Sequence, residues 1–490
     1  MRRWTLALAA LLALAIVRLW LMPLPSSFWT DEAETFFRLR FGSSQAWSAI
    51  APELPGSLYY PILRAFTALG GLSEVACRLP STLAMGLALF LIARLAARLI
   101  HPQAAWFAAF LCLAMRGFNF QAADARPYGL GTALMAAGLW FLVRWFDRGR
   151  DRDAALFVFF AALLLPVHPL YWPFYFVFAG YALVRLVSKD TAVTWLRASL
   201  AFTFLALALL PVVIQALLLS QAARSHVITD LPGAKLLFRS MEPVVVGACW
   251  AGAWLFSRIF RWSSGSPAPA RSSVALIALW WLCPPLGLFA FSWVTGVSVF
   301  VPRYYSLALA GAALAGAALA ARYIPSRLWR PLTLALALGV VLLRPDLHHV
   351  WPLHANMDYR GAARAINQAT LGGDTPVLCP SPFVEAQAPL WQPGYPLPSV
   401  LYSTLVVYPL RGRVIPFPFS TTSDGEPFAA ALAQSELPAS RRFFVYGHRI
   451  NTYFWENWYR RRPELAGWTT RRLGPFGDVV AVEFDRPESR

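Results

Sequence analysis

Charge is scarce in this sequence: Asp, Glu, Lys and Arg together make up 14% of its 490 residues, against 58% hydrophobic residues and a mean hydropathy of +0.50. A soluble protein of this size cannot keep so much apolar surface from water, so the chain reads as a polytopic membrane protein. Acids are the scarcer sign, 25 against 43 Lys and Arg, for a net charge of +18. In a soluble chain that excess would suggest nucleic acid. Here its position argues against such a partner: residues 351–490 hold 14 Arg and 12 acids, so nearly all of the excess lies in the first 350 residues, where basic residues mark cytosolic loops. Cysteine is sparse too. Cys112, Cys249 and Cys283 fall within apolar runs and only Cys77 and Cys379 are placed for an oxidising compartment, so the five read as buried free thiols. No CxxC or HExxH spacing and no nucleotide-binding loop occurs, which leaves no metal centre or nucleotide site legible from motifs.

What is present is a series of apolar runs separated by charged breaks, near 6–24, 80–100, 104–120, 126–146, 154–166, 170–187, 198–219, 241–258, 273–295, 303–323 and 328–345. That is an expectation of about 11 transmembrane helices. With Arg2 and Arg3 in the cytosol, alternate connections should be Arg-rich, and five are: Arg94 and Arg98; Arg144, Arg148, Arg150 and Arg152; Arg185, Lys189 and Arg197; Arg258, Arg261 and Arg271; Arg322, Arg327 and Arg330. An odd number of spans puts residues 351–490 outside. A single span over 154–187, where Pro166, Pro169 and Pro173 interrupt the run, would reverse that side. The rival reading of the N-terminus is a cleaved signal peptide, which its 19-residue run disfavours.

The first run ends at Pro23-Leu24-Pro25 and is followed by Ser27-Phe28-Trp29-Thr30-Asp31-Glu32-Ala33-Glu34, acids beside aromatics at a membrane surface. Ser57 to Phe66 reads as an amphipathic segment lying in the interface, and Pro80 suits the first turn of the second span. From about 351 prolines and soluble-type elements take over. Residues 357–370 and 452–465 are predicted as helices, and 406–415, 442–446 and 478–484 as strands of a small α/β domain. In that domain Trp455, Trp458 and Tyr459 are expected to pack internally. Asp151-Arg152-Asp153 has the D-x-D spacing used to hold a metal and a diphosphate, but its interleaved arginines predict a solvated cytosolic loop. The small residues from Ala308 to Ala321 predict close helix packing.

In this order the motifs carry a resemblance. Trp29-Thr30-Asp31-Glu32-Ala33, then PGSLYYPILRAF at 55–66, SEVACRLPSTL at 73–83, Asp124-Ala125-Arg126-Pro127-Tyr128, Val301-Pro302-Arg303-Tyr304-Tyr305 and Met357-Asp358-Tyr359-Arg360-Gly361 resemble the polyprenyl-phosphate-sugar-dependent membrane glycosyltransferases of the C-type fold. The nearest group is the bacterial relatives of protein O-mannosyltransferases and of the lipid A aminoarabinose transferase. The resemblance covers most of the chain. It departs at Glu53-Leu54-Pro55-Gly56, where family members often carry His-Pro-Pro or Lys-Pro-Pro before Leu-x-Tyr.

The resemblance implies an α-helical polytopic membrane protein with a C-terminal soluble α/β domain. Its transmembrane domain would span 1–350, with an acidic outer loop at 25–79, and its extracytoplasmic domain 351–490. It also implies inverting sugar transfer from a polyprenyl-phosphate donor to an envelope acceptor, on the outer side of a bacterial inner membrane. Asp31 would be the general base, with Glu32 beside it. Arg126 and Arg303, next to Tyr128 and Tyr304, would hold the donor phosphate. Glu53, Tyr59, Tyr60 and His168 would line the cavity. The sequence shows no complete ligand set for a cofactor, and Asp31 and Glu32 are the acids that could carry a divalent metal. The competing readings are a transporter or flippase of lipid-linked sugars, disfavoured by the absence of an evident repeat and of mid-span charges, and a non-catalytic relative.

Overall fold

The structure, a computed structural model, describes residues 2–42, 57–224, 230–262, 265–343, 352–421 and 424–487. In chain order the principal helices are α1 (Arg2–Ile16), α2 (Thr30–Phe41), α3 (Tyr59–Gly70), α4 (Glu74–Leu99), α5 (Ala104–Ala114), α6 (Arg116–Ala122), α7 (Tyr128–Arg148), α8 (Asp151–Val167), α9 (Phe174–Val187), α10 (Trp195–Arg224), α11 (Pro243–Ile259), α12 (Arg271–Thr295), α13 (Ala308–Ala321), α14 (Trp329–Leu342), α15 (Tyr359–Ala369), α16 (Gly425–Gln434) and α17 (Arg449–Arg460). The strands are β1 (Pro376–Pro380), β2 (Arg413–Phe417), β3 (Arg442–His448), β4 (Thr469–Phe476) and β5 (Val479–Asp485). The protein is mostly helical with one small sheet.

A helix covers most of each of the 11 apolar runs. By length and composition six helices among the described residues can cross a membrane: Arg3–Leu21, Glu74–Leu99, Tyr128–Arg148, Pro169–Val187, Trp195–Leu218 and Arg271–Thr295. Shorter apolar helices stand at Ala104–Ala114, Pro243–Ile259 and Ala308–Ala321. The 154–187 stretch is two helices, broken at His168-Pro169. Two compact units result, Met1–Leu24 with Glu53–Pro352, and Pro25–Pro52 with Leu353–Arg490.

In the first unit, α1 widens into a π-turn at Val17–Leu21 that carries the buried Trp20, whose indole donates to Asn119 Oδ1 at 2.9 Å. Asn119 in turn donates to the carbonyls of Leu113 and Met115, the groups freed where α5 stops and α6 begins. Helix α4 starts earlier than expected, because Ser73 Oγ accepts from Ala76 N at 3.3 Å and so caps it; Pro80 therefore lies inside the helix rather than in its first turn. Arg78, fully buried, donates to Pro23 O and Leu24 O at 3.2 and 2.8 Å and closes the end of the first span. The small residues of α13 do permit close packing: a Cβ on Gly311 would meet the Trp281 backbone nitrogen at 2.5 Å. Asp151 and Arg152 are exposed, as expected of a solvated run, but Asp151-Arg152-Asp153 is the first turn of α8 rather than a loop, where acids are favoured, and Asp153 is buried against Arg144 at 3.2 Å.

The second unit holds a five-stranded sheet in the order β2-β1-β3-β5-β4, parallel from β2 to β3 and antiparallel from β3 to β4. β1 is buried throughout, as the apolar run PVLCP demands of a central strand, whereas β4 exposes Arg471 and Arg472 at an edge. Trp455 and Tyr459 are buried in its core, and Trp458 carries the Arg462 guanidinium 3.7 Å above its ring, so these aromatics pack internally. The strand expected over 406–415 begins only at Arg413; residues 403–407 form a short helical turn, and only the partner strand β1 fixes where extension starts. All five cysteines are free thiols.

Candidate functional site

The clearest constellation in the first unit forms around the turn that joins α6 to α7. Two neighbouring hydroxyls of α4 pin this turn: Thr82 Oγ1 donates to Ala122 O at 2.7 Å and Ser81 Oγ to Arg126 O at 3.1 Å. Both belong to the SEVACRLPSTL segment, so one motif orients another. Close approach continues at Gly129, where a Cβ would lie 3.0 Å from Ser81 O, and at Gly131, where it would lie 2.4 Å from the Tyr171 ring. The turn thereby buries Asp124 completely and leaves Arg126 half-buried.

Against this turn stand the break after α8 and the segment before α13. His168 Nδ1 accepts from Leu170 N at 3.3 Å, which fixes the ring, and its centroid lies 4.8 Å from Tyr304, 5.3 Å from Tyr171 and 5.8 Å from Tyr128. The Arg303 guanidinium sits 5.2 Å over Tyr304. Burial pushes the His168 imidazole down to about 3, and the positive charges of Arg126 and Arg303 act in the same direction. A neutral histidine among three tyrosines, with two guanidiniums near it, combines cationic charge with aromatic surface in a partly desolvated setting, a donor set of the kind that binds anions. Asp124 lies close enough to the Tyr59 hydroxyl to reinforce the upward shift that burial gives that group. Tyr60 meets Tyr59 edge-on, with centroids 5.9 Å apart.

In the second unit, Asp31 and Glu32 open α2. Glu32 Oε2 accepts from Trp29 N at 3.3 Å, the backward bond of a capping arrangement, so Glu32 helps to start the helix. The segment before it is held by residues more than three hundred positions away: His354 N donates to Ser26 Oγ at 3.1 Å, Arg360 N to Ser27 Oγ at 3.2 Å, and Phe28 N to Tyr408 Oη at 2.7 Å. The Thr30 and Tyr359 hydroxyls are 3.4 Å apart. Phe37 buries the other end of α2 against Trp391, Leu401 and Tyr402, and Glu34 pairs with Arg38 one turn on. Asp31, half-buried, is thus mounted on a helix fixed at both ends. Within this unit Glu32 and His354 could contribute to holding a cation, with ligand atoms within 4.8 Å of each other; two ligands are an incomplete set.

Of the residues singled out from the sequence, Arg126, Tyr128, His168, Arg303 and Tyr304 come together in the first unit, with Tyr59 near Asp124 and Tyr60 against Tyr59. Asp31 and Glu32 lie in the second unit. Glu53 falls outside the described residues. Tyr171 was missed: in the run His168-Pro169-Leu170-Tyr171-Trp172-Pro173 it reads as one interfacial aromatic among several, and its only distinction is the glycine opposite it at 131.

Residues 57–217 match the family model for dolichyl-phosphate-mannose-protein mannosyltransferase, a stretch that contains Tyr59, Arg126, Tyr128 and His168. Among solved structures, the crystal structure of ArnT from Cupriavidus metallidurans in the apo state superposes with a TM-score of 0.54 at 14% identity, covering 98% of this chain and 97% of that one. The chain has an ArnT-like fold. The structure of the same ArnT bound to undecaprenyl phosphate matches with a TM-score of 0.52 at 13% identity, over 97% of each chain. Both likenesses run nearly end to end, through the ArnT-like helices and the C-terminal sheet alike. No curated protein matches the sequence.

Proposed function

We propose that this protein is a glycosyltransferase that moves a sugar from a polyprenyl-phosphate donor to an envelope acceptor. The observation that carries this reading is the convergence of Arg126 and Arg303 on His168 and its tyrosines, in a fold similar to that of an ArnT whose structure is bound to undecaprenyl phosphate, with Arg126 and His168 inside the stretch that matches the dolichyl-phosphate-mannose-protein mannosyltransferase model. Arg126 and Arg303 hold the donor phosphate, and Tyr128 and Tyr304 wall it. The acceptor hydroxyl attacks the sugar's anomeric carbon as Asp31 takes its proton. The bond from that carbon to the phosphate oxygen breaks on the opposite face, which inverts the centre. The lipid phosphate leaves with its developing charge on the two guanidiniums. Glu32 orients Asp31 or the acceptor, and no step requires a metal.

The reaction is assigned to the outer face of a bacterial inner membrane, with residues 351–490 on that side. Cysteines placed near Glu34, at the exposed Arg40, and near Ser435 are expected to react with an impermeant reagent in whole cells, and one at Arg150 is not. Mass spectrometry of envelope glycans and lipids from a deletion strain should show one sugar missing from one acceptor. Vesicles in which the purified protein moves the intact lipid-linked sugar across the bilayer without breaking its glycosidic bond would replace this reading with a flippase.

A further inference from the structure

A second apolar feature of the first unit lies away from the His168 cluster. Between α8 and α10, over the end of α7, is a cavity of about 610 Å³. Its floor is the buried Trp145, and its walls are Val158 and Phe159 on one helix and Leu200 and Phe204 on the other. Phe159, Leu200 and Phe204 are 55%, 50% and 64% exposed, so the groove opens outward from a helix that is itself a candidate span. Helix α7 separates this groove from the cluster: it runs 21 residues from Tyr128 to Arg148, about 30 Å at the helical rise.

One end of the groove is charged. Arg197 and Asp151 line it; the guanidinium donates to Gly149 O at 2.6 Å and pairs with Asp151, whose side chain is 91% exposed. An exposed pair of this kind contributes little, and a guanidinium has five N–H donors, so Arg197 can take a further anion without giving up its carbonyl contact. Arg148, Arg150 and Arg152 around the α7–α8 junction, and Lys189 between α9 and α10, stand exposed and form no ion pair among the described residues. An apolar slot between α8 and the candidate span α10, with Arg197 and Asp151 at one end and four more exposed cations on the neighbouring segments, has the complementarity of a phospholipid whose headgroup carries net negative charge.

We propose that the α8–α10 groove is a structural binding site for an anionic diacyl phospholipid, one acyl chain lying along Val158, Phe159, Leu200 and Phe204 and the phosphate meeting Arg197. This site is independent of the glycosyl-transfer reading, since none of its residues belongs to the His168 cluster or to α2.

The test uses full-length protein purified in detergent and native mass spectrometry of the first lipid retained, comparing 1-palmitoyl-2-oleoyl-phosphatidylglycerol with the phosphatidylcholine of the same chains. Wild type should hold phosphatidylglycerol about fivefold more tightly, the worth of one basic contact near the surface. Arg197→Gln should bring the two lipids to near equality, and Ala155→Phe, which fills the groove without touching charge, should lower retention of both about tenfold or more. Equal retention of the two lipids by wild type, or a phosphatidylglycerol affinity unchanged in either variant, overturns the proposal. The wild-type comparison decides it even where a variant does not fold.

Discussion

The arginine cluster of the first unit and the acidic helix of the second present their functional groups by different physical means. Arg126 and Arg303 reach His168 from segments far apart in the chain, and what aligns them is tight packing: two hydroxyls on backbone carbonyls, two glycines under neighbouring groups, and a wall of aromatic rings. Asp31 is mounted instead on a short helix whose leading strand is tied by hydrogen bonds to residues 354–360 and Tyr408. Packing of the first kind suits a preformed site for a large anion. A carboxylate on a fixed helix suits proton transfer. The proposed function gives binding to one unit and proton chemistry to the other, and each half of that proposal can be broken separately.

The largest expected effect is on turnover. Asp31→Asn keeps the shape of the side chain but cannot take a proton, so sugar transfer should fall by about 10²–10⁴; Glu32→Gln should be milder in rate and leave the thermal midpoint near wild type, because its amide oxygen still accepts from Trp29 N, whereas Glu32→Ala should lower the midpoint. Arg78→Ala should cost about 3 kcal/mol of stability, seen as a lower midpoint in detergent, since it leaves the Pro23 and Leu24 carbonyls buried without their donor. Gly131→Ala should cost about 1–3 kcal/mol by forcing Tyr171 aside; a midpoint equal to wild type would mean that the ring is loosely held and the cluster not preformed.

The smallest effect is on acid stability. His168 is held below its ordinary value when folded, so between about pH 3 and pH 6.5 the unfolded chain binds a proton that the folded chain does not. Its contribution is intact above about pH 6.5 and is lost as pH falls below that value. His168→Gln should therefore lose less of its thermal midpoint between pH 7 and pH 4.5 than wild type does. Parallel losses would place the imidazole in water.

Much of this was legible in the sequence. Arg-Pro-Tyr and Arg-Tyr-Tyr at the beginnings of apolar runs stand out by residue type, and counting spans predicts 126 and 303 on the same side; the structure brings both near His168 across 177 positions. Asp124 was harder to read, since a residue between helices looks like any polar end group until the Ser81 and Thr82 hydroxyls are seen to draw its turn inward. The packing of 25–42 with 353–490 had no periodic signal at all: it rests on Ser26, Ser27 and Phe28 bonding to distant backbone and tyrosine groups, and single hydrogen bonds leave no pattern in composition. Asp151-Arg152-Asp153 misled because interleaved charge reads as solvated, whereas a helix start buries its third acid on Arg144.

The division of labour is tested most directly by equilibrium binding of polyprenyl phosphate to the purified protein, comparing wild type, Arg126→Ala, Arg303→Ala and Asp31→Asn. Each arginine contact to a phosphate is worth about 1.5–3 kcal/mol, so both alanine variants should bind the lipid about 10- to 100-fold more weakly, while Asp31→Asn binds it as wild type does. Wild-type affinity in both arginine variants, or an equal loss in Asp31→Asn, would contradict the account.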